Sequence, residues 1–410
     1  MQRLRTPQRP KTSVRRRFRY IMLLLVSVAG VLIVTRGLTH GQGSLVAPLA
    51  QLKQTAGDVH YSKLIPEGDG LQSGIYDPSV AYSADGGTGW LVYSSVTGDF
   101  KPFGPYVNTH LARSTDGGAH WQFVQALNTA AGATLVTEDG NSLTGAWRYE
   151  VPSLMHDPAD PDAGARWKLF VHRYFSTVQQ DRMVEYGWIA LRTAAEPAGE
   201  WSTEVPLFGA GKRPLAPHHQ TRIDLNKLSD SLRGTLAYTE PGALAQDGRL
   251  YLSLTAIKPS IRGPLHDIIL IASGDHGKSW RFITTLLTRD DAVAAGCEYF
   301  DGSSLAEDDG RFFLLAAPMV QNKNEVHQGT VAVEFESLER GILKRDARRA
   351  AAIFAYYAPQ PGIFSGPGAG QSTFDSHNRT GGLIMPQFNV RAYPEVFQIY
   401  QTGRRIVEKR

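Results

Sequence analysis

A chain of 410 residues, 42% hydrophobic and 20% charged, with 41 glycines and 23 prolines, has the composition of a folded globular protein, which excludes disorder across its main body. Its formal charge of +4 comes from Arg3, Arg5, Arg9, Lys11, Arg15, Arg16, Arg17 and Arg19; setting these aside leaves 35 bases against 39 acids, which excludes an electrostatic nucleic-acid footprint on the folded part. The single cysteine, Cys297, excludes an intrachain disulfide and reads as a buried packing residue.

Residues 1–19 form a basic cytoplasmic tail. Tyr20 to Val34 is an uninterrupted apolar and small run directly after the bases, and residues 20–36 read as a signal-anchor or transmembrane helix. Positive flanks stay inside, so the rest of the chain is expected outside the cytoplasm, membrane-anchored, or secreted if the segment is cleaved. Residues 37–60 read as a linker and 61–410 as the folded domain.

From Tyr76 a phrase recurs: an acidic residue, a short apolar strand, a Gly or Asp turn and a second apolar strand, followed by another hairpin. Copies begin near Tyr76, Tyr149, Tyr238, Glu298 and Gly370. Asp77, Glu150, Glu240, Asp301 and Ser372 are read as equivalent positions, 61 to 90 residues apart. Two hairpins per copy make a four-stranded blade, so the expected fold class is all-β, a five-bladed β-propeller. Six blades stay open, because residues 207–233 are unassigned. In the fifth copy the second hairpin is expected within residues 395–407.

Ser114, Asp116, Gly118 and Trp121, and again Ser273, Asp275, Gly277 and Trp280, share a Ser-x-Asp-x-Gly-x-x-Trp spacing. Ser and Asp side chains lock turn amides, glycine takes a left-handed angle and Trp packs beneath, a structural role. Ser83 to Trp90 fits the same spacing but lies only 31 residues before Ser114. It is read as the first hairpin of the first copy, its match incidental.

These turns resemble the Asp-box (BNR repeat) of sialidases and related propellers. Asp77-Pro78-Ser79 looks like the opening of arabinanase-type glycoside hydrolases, Glu240-Pro241-Gly242 resembles the neighbourhood of their general acid, and Thr193 to Trp201 looks like their second-hairpin signature. The resemblance, to the arabinanase, xylosidase and invertase-like group, implies that inner strands deliver carboxyl groups to a central funnel. Glycoside hydrolysis needs two such groups across the bond, one donating a proton and one attacking or activating water. Asp77, Glu240 and Asp301 are the catalytic candidates; Glu150, His172, Arg173 and His218 are candidate sugar-binding residues. The sequence has no metal-ligand spacing and no cofactor signature, so neither is expected. A glycan or glycoside is the expected partner, with the membrane as a second through the N-terminal segment. The alternatives are a non-catalytic glycan- or protein-binding propeller and an exo-sialidase-like enzyme.

Overall fold

The computed structural model describes residues 60–97, 105–178, 182–212, 215–260, 265–320, 326–359, 370–378, 381–389 and 392–408. The basic tail, the hydrophobic segment and nearly all of the linker lie outside them. Among the described residues no helix is long and apolar enough to cross a membrane.

The fold is all-β. Strands β1 (Ser62–Leu64), β2 (Gly74–Tyr82), β3 (Gly89–Thr97), β4 (Tyr106–Ser114) and β5 (Gln122–Asn128) are followed by β6 (Ala131–Val136), β7 (Ser142–His156), β8 (Trp167–Thr177), β9 (Gly187–Ala194), β10 (Val205–Gly209) and β11 (Ile223–Asp224). Then come β12 (Ala237–Gln246), β13 (Arg249–Lys258), β14 (Leu265–Ser273), β15 (Arg281–Leu287), β16 (Tyr299–Asp308), β17 (Arg311–Val320), β18 (Val326–His327), β19 (Thr330–Ser337), β20 (Ile342–Leu343) and β21 (Ile353–Tyr357). The chain closes with β22 (Thr373–Phe374), β23 (Leu383–Phe388) and β24 (Phe397–Gln401). Antiparallel meanders β2 to β5, β7 to β10, β12 to β15 and β16, β17, β19, β20 reproduce the expected two-hairpin units. Residues 207–233 hold β11 and three short 3-10 turns at the edge of the second sheet.

Middle strands are buried along nearly their whole length because each sheet packs on neighbours through both faces. In β13, Leu250, Leu252 and Leu254 pack with Phe170 and Ile189 of the second sheet, while Tyr251 faces Phe300, Leu305 and Leu314 of the next. This is strand periodicity with two cores, one on each side. The leading strands form a closed ring: β2 touches β7, β7 touches β12, β12 touches β16, β16 touches β22, and β22 touches β2.

The last sheet departs from the sequence expectation. Among the described residues no strand after β24 completes the expected second hairpin; the free edge of β24 pairs antiparallel with β1, Ser62 opposite Gln401 and Leu64 opposite Ile399. The N-terminal strand thus completes the last sheet and fastens the two ends of the ring together. Gly74 lies at this seam, paired in parallel with Phe397 at φ +104°. A Cβ there would stand 1.9 Å from the Phe397 carbonyl oxygen. Gly74→Ala is therefore expected to destabilise the fold by more than about 2 kcal/mol, read as a lower urea midpoint.

Both Ser-x-Asp-x-Gly-x-x-Trp turns close outer hairpins. Ser114 Oγ donates to Asp116 Oδ1 at 2.8 Å and accepts the Gly118 N–H at 2.9 Å; Ser273 does the same toward Asp275 and Gly277, each at 2.8 Å. Trp280 then meets Phe170 and Phe208 edge-on. The turn between β2 and β3 shares part of this lock, Ser83 Oγ donating to Asp85 Oδ1 at 2.6 Å and accepting the Thr88 N–H at 3.1 Å. Only the Ser–Asp bond is common to all three turns: Ser83 accepts from the fifth residue on and Asp85 from Gly87, whereas in the two outer turns both side chains accept from the fourth residue on.

Candidate active site

Four of the five leading strands, β2, β7, β12 and β16, are bulged where they approach their neighbours. The ladder skips between Tyr76 and Ser79, Glu150 and Ser153, Thr239 and Gly242, and Asp301 and Ser304. The residue in left-handed conformation at each bulge is Asp77 (φ 50°), Val151 (φ 52°), Glu240 (φ 55°) and Gly302 (φ 55°). For a β-branched valine this is a true outlier, and each non-glycine residue so held costs about 1–3 kcal/mol. The expected equivalence of the acids is corrected here. Asp77 and Glu240 occupy the bulge; Glu150 and Asp301 stand one residue before it.

Two residues after each bulge, a small residue meets the adjacent strand. Ser79 Oγ accepts the Leu154 N–H at 3.0 Å, Ser153 Oγ accepts the Ala243 N–H at 2.9 Å, and Ser304 Oγ donates to the Ser372 carbonyl at 2.5 Å. At the third such position stands Gly242, where a Cβ would approach the Ser303 carbonyl to 2.5 Å. These bonds couple consecutive leading strands and so fix the carboxyl groups relative to one another.

Glu240 and Asp301 are brought together. Thr255 Oγ1 lies 2.9 Å from Glu240 Oε2 and 2.8 Å from Asp301 Oδ1, and the Gly302 N–H donates to Glu240 Oε2 at 2.6 Å. His266 Nδ1 lies 3.2 Å from Asp301 Oδ2. Burial, and then the charge of Asp301, push the Glu240 carboxyl well above the usual range. Burial acts in the same sense on Asp301, but the hydrogen bond with Glu240 and the facing His266 outweigh it and hold that carboxyl low. The two members are thus biased in opposite senses, Glu240 toward its neutral form and Asp301 toward its ionised form. Such a pair supplies a proton donor at neutral pH.

Asp77 and Glu150 occupy closed positions. Asp77 is fully buried; its Oδ1 accepts the Gln371 N–H at 2.8 Å and its Oδ2 a bond from Ser94 Oγ at 3.3 Å. Burial, then the charge of Glu150, raise its pKa well above the usual range. The Gln371 amide donates to the Pro241 carbonyl at 3.0 Å and to the Ser303 carbonyl, so this one residue ties the leading strands of three sheets across the centre. Glu150 accepts the phenol O–H of Tyr76 and, at 2.5 Å, that of Tyr174.

The remaining candidates lie around the second sheet. His172 is buried in β8 opposite Glu150. Arg173 donates to Glu204 at 2.5 Å, with its guanidinium 4.3 Å from the Trp147 ring centre and 5.2 Å from those of Tyr149 and Trp188. His218 is exposed on a 3-10 turn, Pro217–His219. Burial pushes the Cys297 thiol up to about 12, which suits packing and not nucleophilic attack. Thr255, His266 and Gln371 were not legible as site residues. They come from strands or segments distant in sequence and carry no local motif.

No family model matches the chain, and no curated protein matches it. Solved structures do. The catalytic domain of the GH62 alpha-L-arabinofuranosidase of Coprinopsis cinerea is 10% identical, with 84% of this chain and 96% of that one covered at a TM-score of 0.46. The family 117 glycoside hydrolase Zg3597 of the marine bacterium Zobellia galactanivorans is 12% identical over 86% and 92%, TM-score 0.48. The Bombyx mori GH32 beta-fructofuranosidase BmSUC1 is 14% identical over 87% and 64%, TM-score 0.44. At such identities and TM-scores these likenesses assign no activity to this chain.

Proposed function

We propose that the chain is a five-bladed propeller, closed by β1, that cleaves a glycosidic bond at the Glu240–Asp301 pair. The observation that carries this is a half-buried carboxyl pair on the inner ring, bridged by Thr255, whose two members are biased in opposite senses. Glu240 is the general acid that protonates the leaving oxygen; Asp301 is the ionised partner that keeps its pKa raised. Asp77 is the base. It takes that role in a state where Gln371 has left its carboxyl to bound sugar or water, since the buried form holds its own proton. Residues 20–36 would tether this domain outside the cytoplasm.

A non-catalytic, glycan-binding propeller is the second reading, favoured by the complete burial of Asp77. The sialidase-like reading needs an accessible tyrosine beside a glutamate. Tyr76 and Tyr174 meet Glu150, but Tyr76 is buried and burial raises its phenol pKa, the opposite of activation.

The full chain, Asp77→Asn and Glu240→Gln should be compared on a panel of glycosides and polysaccharides, measuring both sugar release and binding. Turnover by the parent chain that both substitutions remove, with binding retained, is the expected result. Binding without turnover by the parent establishes the second reading.

A further inference from the structure

A pair that shares one proton needs an asymmetry to set which carboxyl holds it. Two carboxyls bridged by one threonine hydroxyl do not by themselves choose. Among the described residues the groups facing the pair are Thr255 from β13, His266 from β14, the Gly302 N–H from β16, and, at longer range, Asp77 on β2 and His327 on β18, both of which burial drives toward their neutral forms. Thr255 touches both carboxyls and the Gly302 N–H touches Glu240. His266 alone among the near groups contacts only Asp301.

His266 is also held in place. Its side chain is 9% exposed, and its ring packs on Tyr299 with centres 4.3 Å apart. An ionised carboxylate only accepts hydrogen bonds, so Nδ1 must carry a hydrogen toward Oδ2. That contact stabilises every state in which Asp301 is charged more strongly than the state in which Glu240 is charged and Asp301 protonated, because a hydrogen bond to an ionised carboxylate is about twice as strong as one to a neutral carboxyl.

We propose that His266 is a positioning residue that decides which carboxyl carries the proton, holding Asp301 as the ionised member through Nδ1–H and leaving the proton on Glu240. The inference rests on the reading of Glu240 as proton donor but is testable without activity. The pair titrates in two coupled steps, the lower one being ionisation of Asp301. Removing the donor in His266→Phe makes that first ionisation harder, so the lower step moves up by about one pH unit. Part of the proton then moves to Asp301, and kcat falls about tenfold if Glu240 is the acid.

The test follows the carbon-13 carboxyl resonances of the full chain against pH, with Asp301 identified by their loss in Asp301→Asn. His266→Phe should raise the lower step. His266→Gln, which can still donate from its amide, should keep it within a few tenths of a pH unit of the parent. A lower step that stays in place in His266→Phe overturns the proposal, whatever happens to stability or rate. If His266→Phe cannot be folded, a His266→Gln chain whose lower step rises as far as one pH unit overturns it instead. If the titrations behave as stated while the parent turns over no glycoside, the proton-donor reading fails and the placement of the proton stands.

Discussion

Glu240→Gln should lower kcat/KM about 10²- to 10⁴-fold on glycosides with alkoxide leaving groups, and far less on aryl glycosides whose phenolate leaves without a proton. Glutamine suits the site sterically: its amide oxygen can keep the Gly302 N–H and Thr255 contacts that Glu240 Oε2 now accepts, and its NH2 can donate to Asp301. The substitution therefore removes the proton and little else. Kinetics on a matched pair of alkyl and aryl substrates separates this from a general loss of structure, which would lower both rates equally. Equal losses on both substrates would remove Glu240 from the role of acid.

Lys168→Met should cost about 3–5 kcal/mol of stability. The lysine is 2% exposed, and its Nζ lies 2.6 Å from Asp160 Oδ2 and 3.5 Å from Asp157 Oδ2. It also donates to the Ala165 carbonyl at 2.5 Å, and His276 meets Asp157 at 2.9 Å across from the third sheet. Asp157, Asp160 and His276 converge closely enough to resemble a metal cluster, but the ammonium group already supplies the positive charge among them. Without it, two carboxylates remain buried with at most one imidazolium. Urea unfolding measures the loss. Adding Asp160→Asn to Lys168→Met should recover a large part of it by removing one uncompensated charge; no recovery would mean that packing of the lysine stem, and not its charge, is what the site needs.

The repeat was legible because each unit needs two hairpins whose middle strands are buried on both faces, and the apolar runs within β3, β8, β13 and β17 announce this in their sequences. The register of the site was legible only in part. Aligning acids matched Asp77 and Glu240 but set Glu150 and Asp301 one residue out. The better marker was the residue pattern around the bulge: Asp77-Pro78-Ser79, Val151-Pro152-Ser153 and Glu240-Pro241-Gly242 share a proline after the strained residue and a small residue after that, where the next strand is met. Strand β1 was missed because three residues carry no periodicity and its partner lies more than 330 residues away. Gln371, Thr255 and His266 reach the site through the ring of sheets. Their roles depend on which strands become neighbours, which a local pattern does not encode.

The most direct test of the account is the protonation state of Glu240 itself, followed by infrared difference spectroscopy on protein labelled at glutamate carboxyls, with Glu240→Gln as the subtraction. The account predicts a protonated carboxyl band assigned to Glu240 that persists well above the pH at which an ordinary glutamate ionises, while Asp301 is already ionised. A Glu240 that ionises near the ordinary value, or a proton found on Asp301 in its place, would contradict it.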